Sequence, residues 1–335
     1  MAKWWADEKT PAHPGLKQKP RQGNRAGFFM GLANRNAPGQ AARSLAKVYT
    51  PCLHRQPTGK PPMIQPLFWS LIHRPYVTVL LVAFLALSWK EQGGARTLAW
   101  LVSGYLVALA AEWGSINHGI PFGWYAYQYD ALAKDLVVFG VPFFDSVSFA
   151  FLSYVSFSFA QFLLSPSQVA GFDARRLASH RLRGSVPALA LGAVLMVMVD
   201  VVVDPLALLG QYWFLGQIYH YPEVGMHFGV PLANYFGWFA VALAIMAINQ
   251  RVDGFLAGRA AVDGKPLFAE PACNAVYAPL LWVAIVLFHL GLTYWLAWAG
   301  DSVGLDRGRV LRQALAGTLT VAPVLALAAA KILRQ

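Results

Sequence analysis

Stretches of bilayer-spanning length, almost free of ionisable groups, recur along most of this chain. A membrane crossing needs about 20 mostly apolar residues. Candidate spans run over residues 66–89, 97–113, 144–164, 185–203, 230–248, 275–299 and 312–333. This pattern predicts an all-α fold, a polytopic transmembrane helical bundle of about seven spans. The first span is interrupted by His73, Arg74 and Pro75, which shorten its continuous apolar run. Residues 136–144, just before the third span, read as a re-entrant or interfacial segment.

Charge supports the same class. Only 13% of the 335 residues are charged, against about 25% in soluble domains. The net charge of +11 is largely local, since twelve of the 27 Lys and Arg precede Tyr76, where the only acids are Asp7 and Glu8. Residues 1–65 are rich in Pro, Gly and Asn and lack a sustained apolar period. They read as a disordered basic extension able to lie against anionic lipid headgroups, followed by a transmembrane domain over residues 66–335. No aromatic pattern or fold signature of nucleic-acid binding accompanies the charge, so no nucleic-acid partner is expected. No apolar core of a cleavable signal peptide stands near the start. Cys52 and Cys273 are far apart and lack metal or redox spacing.

The loops fall into two sets. Those after odd-numbered spans carry Lys90 and Arg96, then Arg175, Arg176, Arg181 and Arg183, then Arg251, Arg259 and Lys265. Those after even-numbered spans carry Lys134, then no Lys or Arg, then Arg307, Arg309 and Arg312. The positive-inside rule puts the first set in the cytoplasm. Seven spans would then put the basic extension outside, a conflict that an extra or missing span near His73 would resolve. Either orientation leaves the even loops on one face, and both chemically dense stretches lie there.

Those stretches are residues 111–127, AEWGSINHGIPFGWYAY, and residues 200–238, DVVVDPLALLGQYWFLGQIYHYPEVGMHFGVPLANYFGW. Ionisable groups near hydrocarbon are costly, about 2.5–3.5 kcal/mol on insertion scales, and mark functional sites by default. Glu112 closes the second span behind LVALAA. A partly desolvated carboxyl of this kind suits a general acid; the plainer reading is an interfacial Glu capping a turn. Asp200 and Asp204, four residues apart, share a helix face and suit a shared proton or a bound cation, with Pro205 ending the helix. Asp204 could instead be a solvated helix-end residue, whereas Asp200 sits one turn deeper.

Pro121–Tyr125, Gly229–Asn234 and Gly237–Trp238 are Gly/Pro motifs that can set re-entrant turns and bring backbone close to a ligand. Trp113, Tyr127, Tyr129 and Trp213 read as an interfacial aromatic belt. Trp124, Tyr125 and Trp238 read as pocket walls that could stabilise a carbocation without trapping it. His118, His220 and His227 share the same loops with Glu223. No HxxH or HExxH pair occurs, so polar lining or proton relay is the better reading and no metal is expected. His289, deep in the sixth span, reads as a packing residue. No P-loop, dinucleotide fingerprint or GxSxG motif appears.

Taken together, Glu112–Trp113, Pro121–Tyr125, Val141–Pro142, Asp200-x-x-x-Asp204-Pro205 and Gly229-Val-Pro-Leu-x-Asn234-x-x-Gly237-Trp238 resemble the carotenoid-biosynthesis membrane hydratases. That family includes bacterial carotenoid 1',2'-hydratases and archaeal bisanhydrobacterioruberin hydratases. The resemblance runs from Tyr76 to Leu333; the Arg-rich loop at Arg175–Arg183 departs from it. It implies a hydro-lyase that adds water across the terminal isopropylidene double bond of an acyclic carotenoid end of the γ-carotene or lycopene type. No cofactor is implied. The partners implied are a lipid-soluble carotenoid, membrane lipids and other carotenoid-pathway enzymes, in a bacterial cytoplasmic (inner) membrane. On this reading Asp200 or Glu112 donates the proton, Asp204 positions water, and Trp124, Tyr125 and Trp238 line the cation pocket, with Asn234 and His227 as further substrate-binding residues.

Three other readings stay open. Asp200-x-x-x-Asp204 with Asn249-x-x-x-Asp253 resembles the Asp-rich pairs with which membrane prenyltransferases hold magnesium diphosphate. A lycopene-cyclase-like enzyme would share the cation step and end by ring closure. A non-catalytic transporter or scaffold would use the same carboxyls as proton relays.

Overall fold

The computed structural model describes residues 64–170, 173–176, 180–262 and 276–333. The basic extension, Cys52 and Cys273 lie outside them. The described helices are α1 (Ile64–His73), α2 (Pro75–Gln92), α3 (Gly94–His118), α4 (Phe143–Leu164), the short α5 (His180–Arg183), α6 (Val186–Ala207), α7 (Leu232–Val262), α8 (Tyr277–Ala299) and α9 (Arg307–Leu333). Six of them are long and apolar enough to cross a membrane, and α1 with α2 form a further, bent pair. The chain is thus an all-α membrane bundle.

The interruption at His73–Pro75 is a sharp corner. The two helices meet at 96°, because Pro75 begins α2 and the residue before a proline is pushed out of helical geometry. Arg74, at the corner, is 8% exposed. Its guanidinium donates to Asp135 Oδ2 at 2.8 Å and to the Leu215 carbonyl at 2.8 Å, and lies 4.6 Å from the centre of the Phe144 ring. A residue that shortens an apolar run in the sequence therefore ties together the two loops of residues 119–142 and 208–231.

Alternate helices run in opposite directions, and α3, α4, α6 and α7 close a ring, each packed on the next. Helix α4 is the most enclosed, with 83% of its most apolar window buried. Its FFDSVSFAFLSYVSFSFAQFLL sequence is apolar or small all round, as a core membrane helix needs to be. At Gly104 of α3 an added Cβ would stand 2.6 Å from Ala150 Cα of α4. Only glycine permits that approach. Helices α8 and α9 pack together beside α4 and α6.

This topology gathers the C-terminal ends of α3 and α6 with the N-terminal ends of α4 and α7. The loops across that end are joined by a two-stranded ribbon, β1 (Ala126–Tyr127) with β6 (Tyr219–His220), in which Tyr127 faces Tyr219 across the pair. Two further hairpins pair β2 (Val137–Val138) with β3 (Val141–Pro142), and β4 (Ser167–Ala170) with β5 (Asp173–Arg176). The segment expected to be re-entrant or interfacial is the β2–β3 hairpin leading into α4.

Candidate active site

Each helix of the ring delivers polar groups to this end. Helix α3 brings Glu112, α4 Asp145 and Ser146, α6 Asp200 and Asp204, and α7 Asn234 and Trp238. Glu112 and Asp200 are 2% exposed and Asp204 6%. Glu112 accepts from Ser146 Oγ at 2.7 Å. Asn234 Nδ2 donates to Asp200 Oδ2 at 2.7 Å and to Asp204 Oδ2 at 2.9 Å. The i, i+4 spacing on α6 stacks the two carboxyls, and one amide bridges both. Among the described residues no Lys, Arg or His lies within ion-pair distance of these four carboxyls. Arg74 is paired with Asp135 instead.

The ribbon supplies the hydroxyls. Side chains two residues apart on a strand share a face, so Tyr125 with Tyr127, and Tyr219 with Tyr221, converge. Tyr125 packs edge-on to the other three, with ring centres 5.3–6.3 Å away. Tyr221 donates to Asp204 Oδ2 at 2.8 Å and Tyr219 donates to Asp204 Oδ1. Tyr127 donates to Asp145 Oδ2 at 2.6 Å and lies 3.3 Å from the Tyr125 hydroxyl. Burial, reinforced by the surrounding carboxyls, holds Tyr125, Tyr127 and Tyr221 well above the ordinary tyrosine range. They are neutral groups that can donate and accept.

A cavity of about 70 Å³ lies among Glu112, Asp145, Asp204 and the tyrosines on one side and Phe122, Phe149 and Trp238 on the other. The Phe149 and Trp238 rings stack at 4.4 Å, and Phe122 leans on both. A water needs roughly 10–15 Å³ of such space, so a few waters, or one water beside the tip of an apolar molecule, can enter.

Of the residues singled out in the sequence, Glu112, Asp204, Tyr125, Asn234 and Trp238 meet at this cavity. Asp200 stands behind them through Asn234. Two others do not line it. Trp124 is 48% exposed, its ring beside the glycine that ends α3. His227 shares a hydrogen bond with the Tyr235 hydroxyl, and burial lowers its pKa below the usual histidine value.

The expected aromatic belt needs correction. Tyr127 is 6% and Trp213 7% exposed, because the ribbon and the loop packing turn both inward. Of the Gly/Pro turns, Pro121–Tyr125 contributes Phe122 and Tyr125 to the cavity lining. At Gly237 a Cβ would stand 2.6 Å from Phe122 Cδ1 and 2.8 Å from the Pro121 carbonyl. The glycine lets the Pro121–Tyr125 turn lie on α7.

Asp145, Tyr219 and Tyr221 also line the cavity, and the sequence reading missed them. The YxY repeat, Tyr125-x-Tyr127 and Tyr219-x-Tyr221, was the available signal. Among the described residues no three of His, Cys, Asp and Glu are gathered as metal ligands. His289 is a packing residue, its Nδ1 donating to the Ile285 carbonyl at 2.7 Å. Asp253 sits at the other end of the ring from Asp200 and Asp204, bound by Arg96 and Arg183. The two Asp-rich pairs thus do not converge on one diphosphate.

Comparison with known families decides the wider setting. Residues 73–305, more than two thirds of the chain, match the model of the family described as "Carotenoid biosynthesis protein". The chain belongs to that family. It is an integral membrane protein with a role in carotenoid biosynthesis. No curated protein and no solved structure matched it.

Proposed function

We propose that this member of the carotenoid biosynthesis family is a hydratase, adding water to the terminal isopropylidene double bond of an acyclic carotenoid end in a bacterial inner membrane. The observation that carries this is the two-sided cavity, whose carboxyls, with no ion-paired cation among the described residues, face an aromatic wall.

Hydration of a trisubstituted alkene begins with proton transfer to its less substituted carbon. Glu112 lines the cavity and is the donor in this reading; Asp200, one layer back, is not in reach of substrate. A tertiary cation results. Phe122, Phe149 and Trp238 stabilise it through their ring faces, and unneutralised carboxylates in a water-poor site stabilise it by charge. Asp204, fixed by two tyrosines and Asn234, holds water and takes its proton as the C–O bond forms. The product is a tertiary alcohol. Asp200 keeps Asn234, and through it Asp204, in place.

The test is pigment mass spectrometry after expression in cells accumulating lycopene or γ-carotene. A product heavier by one water, formed by purified protein without nucleotide and in the presence of EDTA, is the expected result. An altered pigment of unchanged mass would replace hydration with cyclisation. Magnesium-dependent gain of an isoprenoid unit with diphosphate release would replace it with prenyl transfer.

A further inference from the structure

Hydration consumes a proton at one carboxyl and releases one at another, so each turnover leaves Glu112 ionised and Asp204 protonated. Resting on the hydratase reading, we infer that the tyrosine ribbon is an internal return path, carrying that proton from Asp204 through Tyr221, Tyr125 and Tyr127 to Asp145 and Glu112.

Three of the five links of the path are hydrogen bonds already described. Tyr221 is bonded to Asp204 at 2.8 Å at one end, and Tyr127 to Asp145 at 2.6 Å at the other, with Tyr125 3.3 Å from Tyr127. Tyr125, Tyr219, Tyr221 and Asp204 line the same cavity, with the Tyr125 and Tyr221 ring centres 6.3 Å apart, which leaves room for a water to link the two hydroxyls. Asp145 and Glu112 are close enough to interact electrostatically. Buried, neutral hydroxyls pass a proton by accepting one and releasing another, without forming phenolate. After water capture, Asp204 becomes the donor and Tyr221 the acceptor. Each O–H bond broken along the chain is matched by one formed, and the last proton reaches Glu112. No co-reactant is consumed. The arrangement has a reason in the membrane setting, because among the described residues no Lys, Arg or His stands within ion-pair distance of the four carboxyls.

Tyr127 is the place to test this, because it is absent from the cavity lining yet its hydroxyl meets Tyr125, Asp145 and Glu112. Purified wild type in detergent is first shown to hydrate carotenoid. Tyr127→Phe and Tyr125→Phe are then compared by rapid quench with enzyme in excess and with substrate in excess. Proton-transfer groups contribute about 10²–10⁴-fold. The multiple-turnover rate should therefore fall by at least about tenfold in each variant, with the first turnover falling much less. Added acetic acid should restore part of the lost steady-state rate in Tyr127→Phe. Equal losses in both regimes, without rescue, would mean that the tyrosines only shape the site and would overturn the relay. Unchanged steady-state rates would overturn it as well. If wild type forms no hydrated product, the hydratase reading falls first and the relay with it.

Discussion

At the residue scale the site rests on carboxyls that, among the described residues, have no Lys, Arg or His within ion-pair distance. Glu112→Gln keeps the shape of the side chain and an acceptor for Ser146, but has no acidic proton. Hydrated pigment per unit of membrane-inserted protein should fall by at least about 10²-fold, with insertion unchanged by immunoblot; near-normal yield would remove Glu112 as the acid. Asn234 tests a different property. Its single Nδ2 serves Asp200 and Asp204, and Asn234→Leu leaves both carboxyls facing an apolar group. A lost bond to a buried charged group costs about 1.5–3 kcal/mol, so detergent-solubilised protein should melt several degrees lower and activity should drop with it. Retained melting temperature and activity would show that the bridge does nothing. The sequence made Glu112, Asp200 and Asp204 legible because each is an acid at the end of an apolar helix. Asp145 was not, because FFDS at the start of a span looks like an ordinary helix beginning, and its partner Tyr127 looks like interfacial belt. Only pairing of two distant loops makes them neighbours.

At the scale of elements, most span ends were readable to within a few residues because hydrocarbon enforces length and composition, although α7 runs on past the expected end at residue 248 to Val262. The corner between α1 and α2, the ribbon and the inward turn of Trp213 were not. They depend on contacts such as Arg74 with Leu215 that are 141 residues apart. The close seat of the Pro121–Tyr125 turn on α7 gives a paired test within one helix. Gly237→Ala puts a methyl 2.6 Å from Phe122, so the turn must shift, carrying Phe122 and Tyr125 with it. Overpacking of this kind costs about 1–3 kcal/mol. Gly254→Ala on the same helix meets nothing within 4 Å and should be neutral, or stabilising by about 0.5–1 kcal/mol. Thermal unfolding and pigment turnover of the two variants should therefore move apart. Similar behaviour would show that the turn adapts.

At the scale of the whole molecule, the ring of α3, α4, α6 and α7 is closed differently at its two ends. Away from the cavity, Asp253 of α7 uses both carboxylate oxygens, one for Arg96 of α3 at 2.7 Å and one for Arg183 just before α6. The carboxylate there is paired with cations, and α3, α5 and α7 are joined by it. At the cavity end, the carboxyls of three helices stand without a matching cation among the described residues. The first arrangement serves the fold, and the second is tolerable only because the first, with the packing of α4, holds the helices together. Asp253→Asn separates the two roles. Removing one partner of a buried ion pair costs about 3–5 kcal/mol, so the variant should accumulate less in the membrane and unfold at a clearly lower temperature. Turnover per folded molecule, measured on the fraction that survives size-exclusion chromatography, should stay within about twofold of wild type, because sites without shared partners act additively. A large loss of turnover in that folded fraction would mean that the two ends communicate through the ring, and the cavity could no longer be treated as a self-contained site.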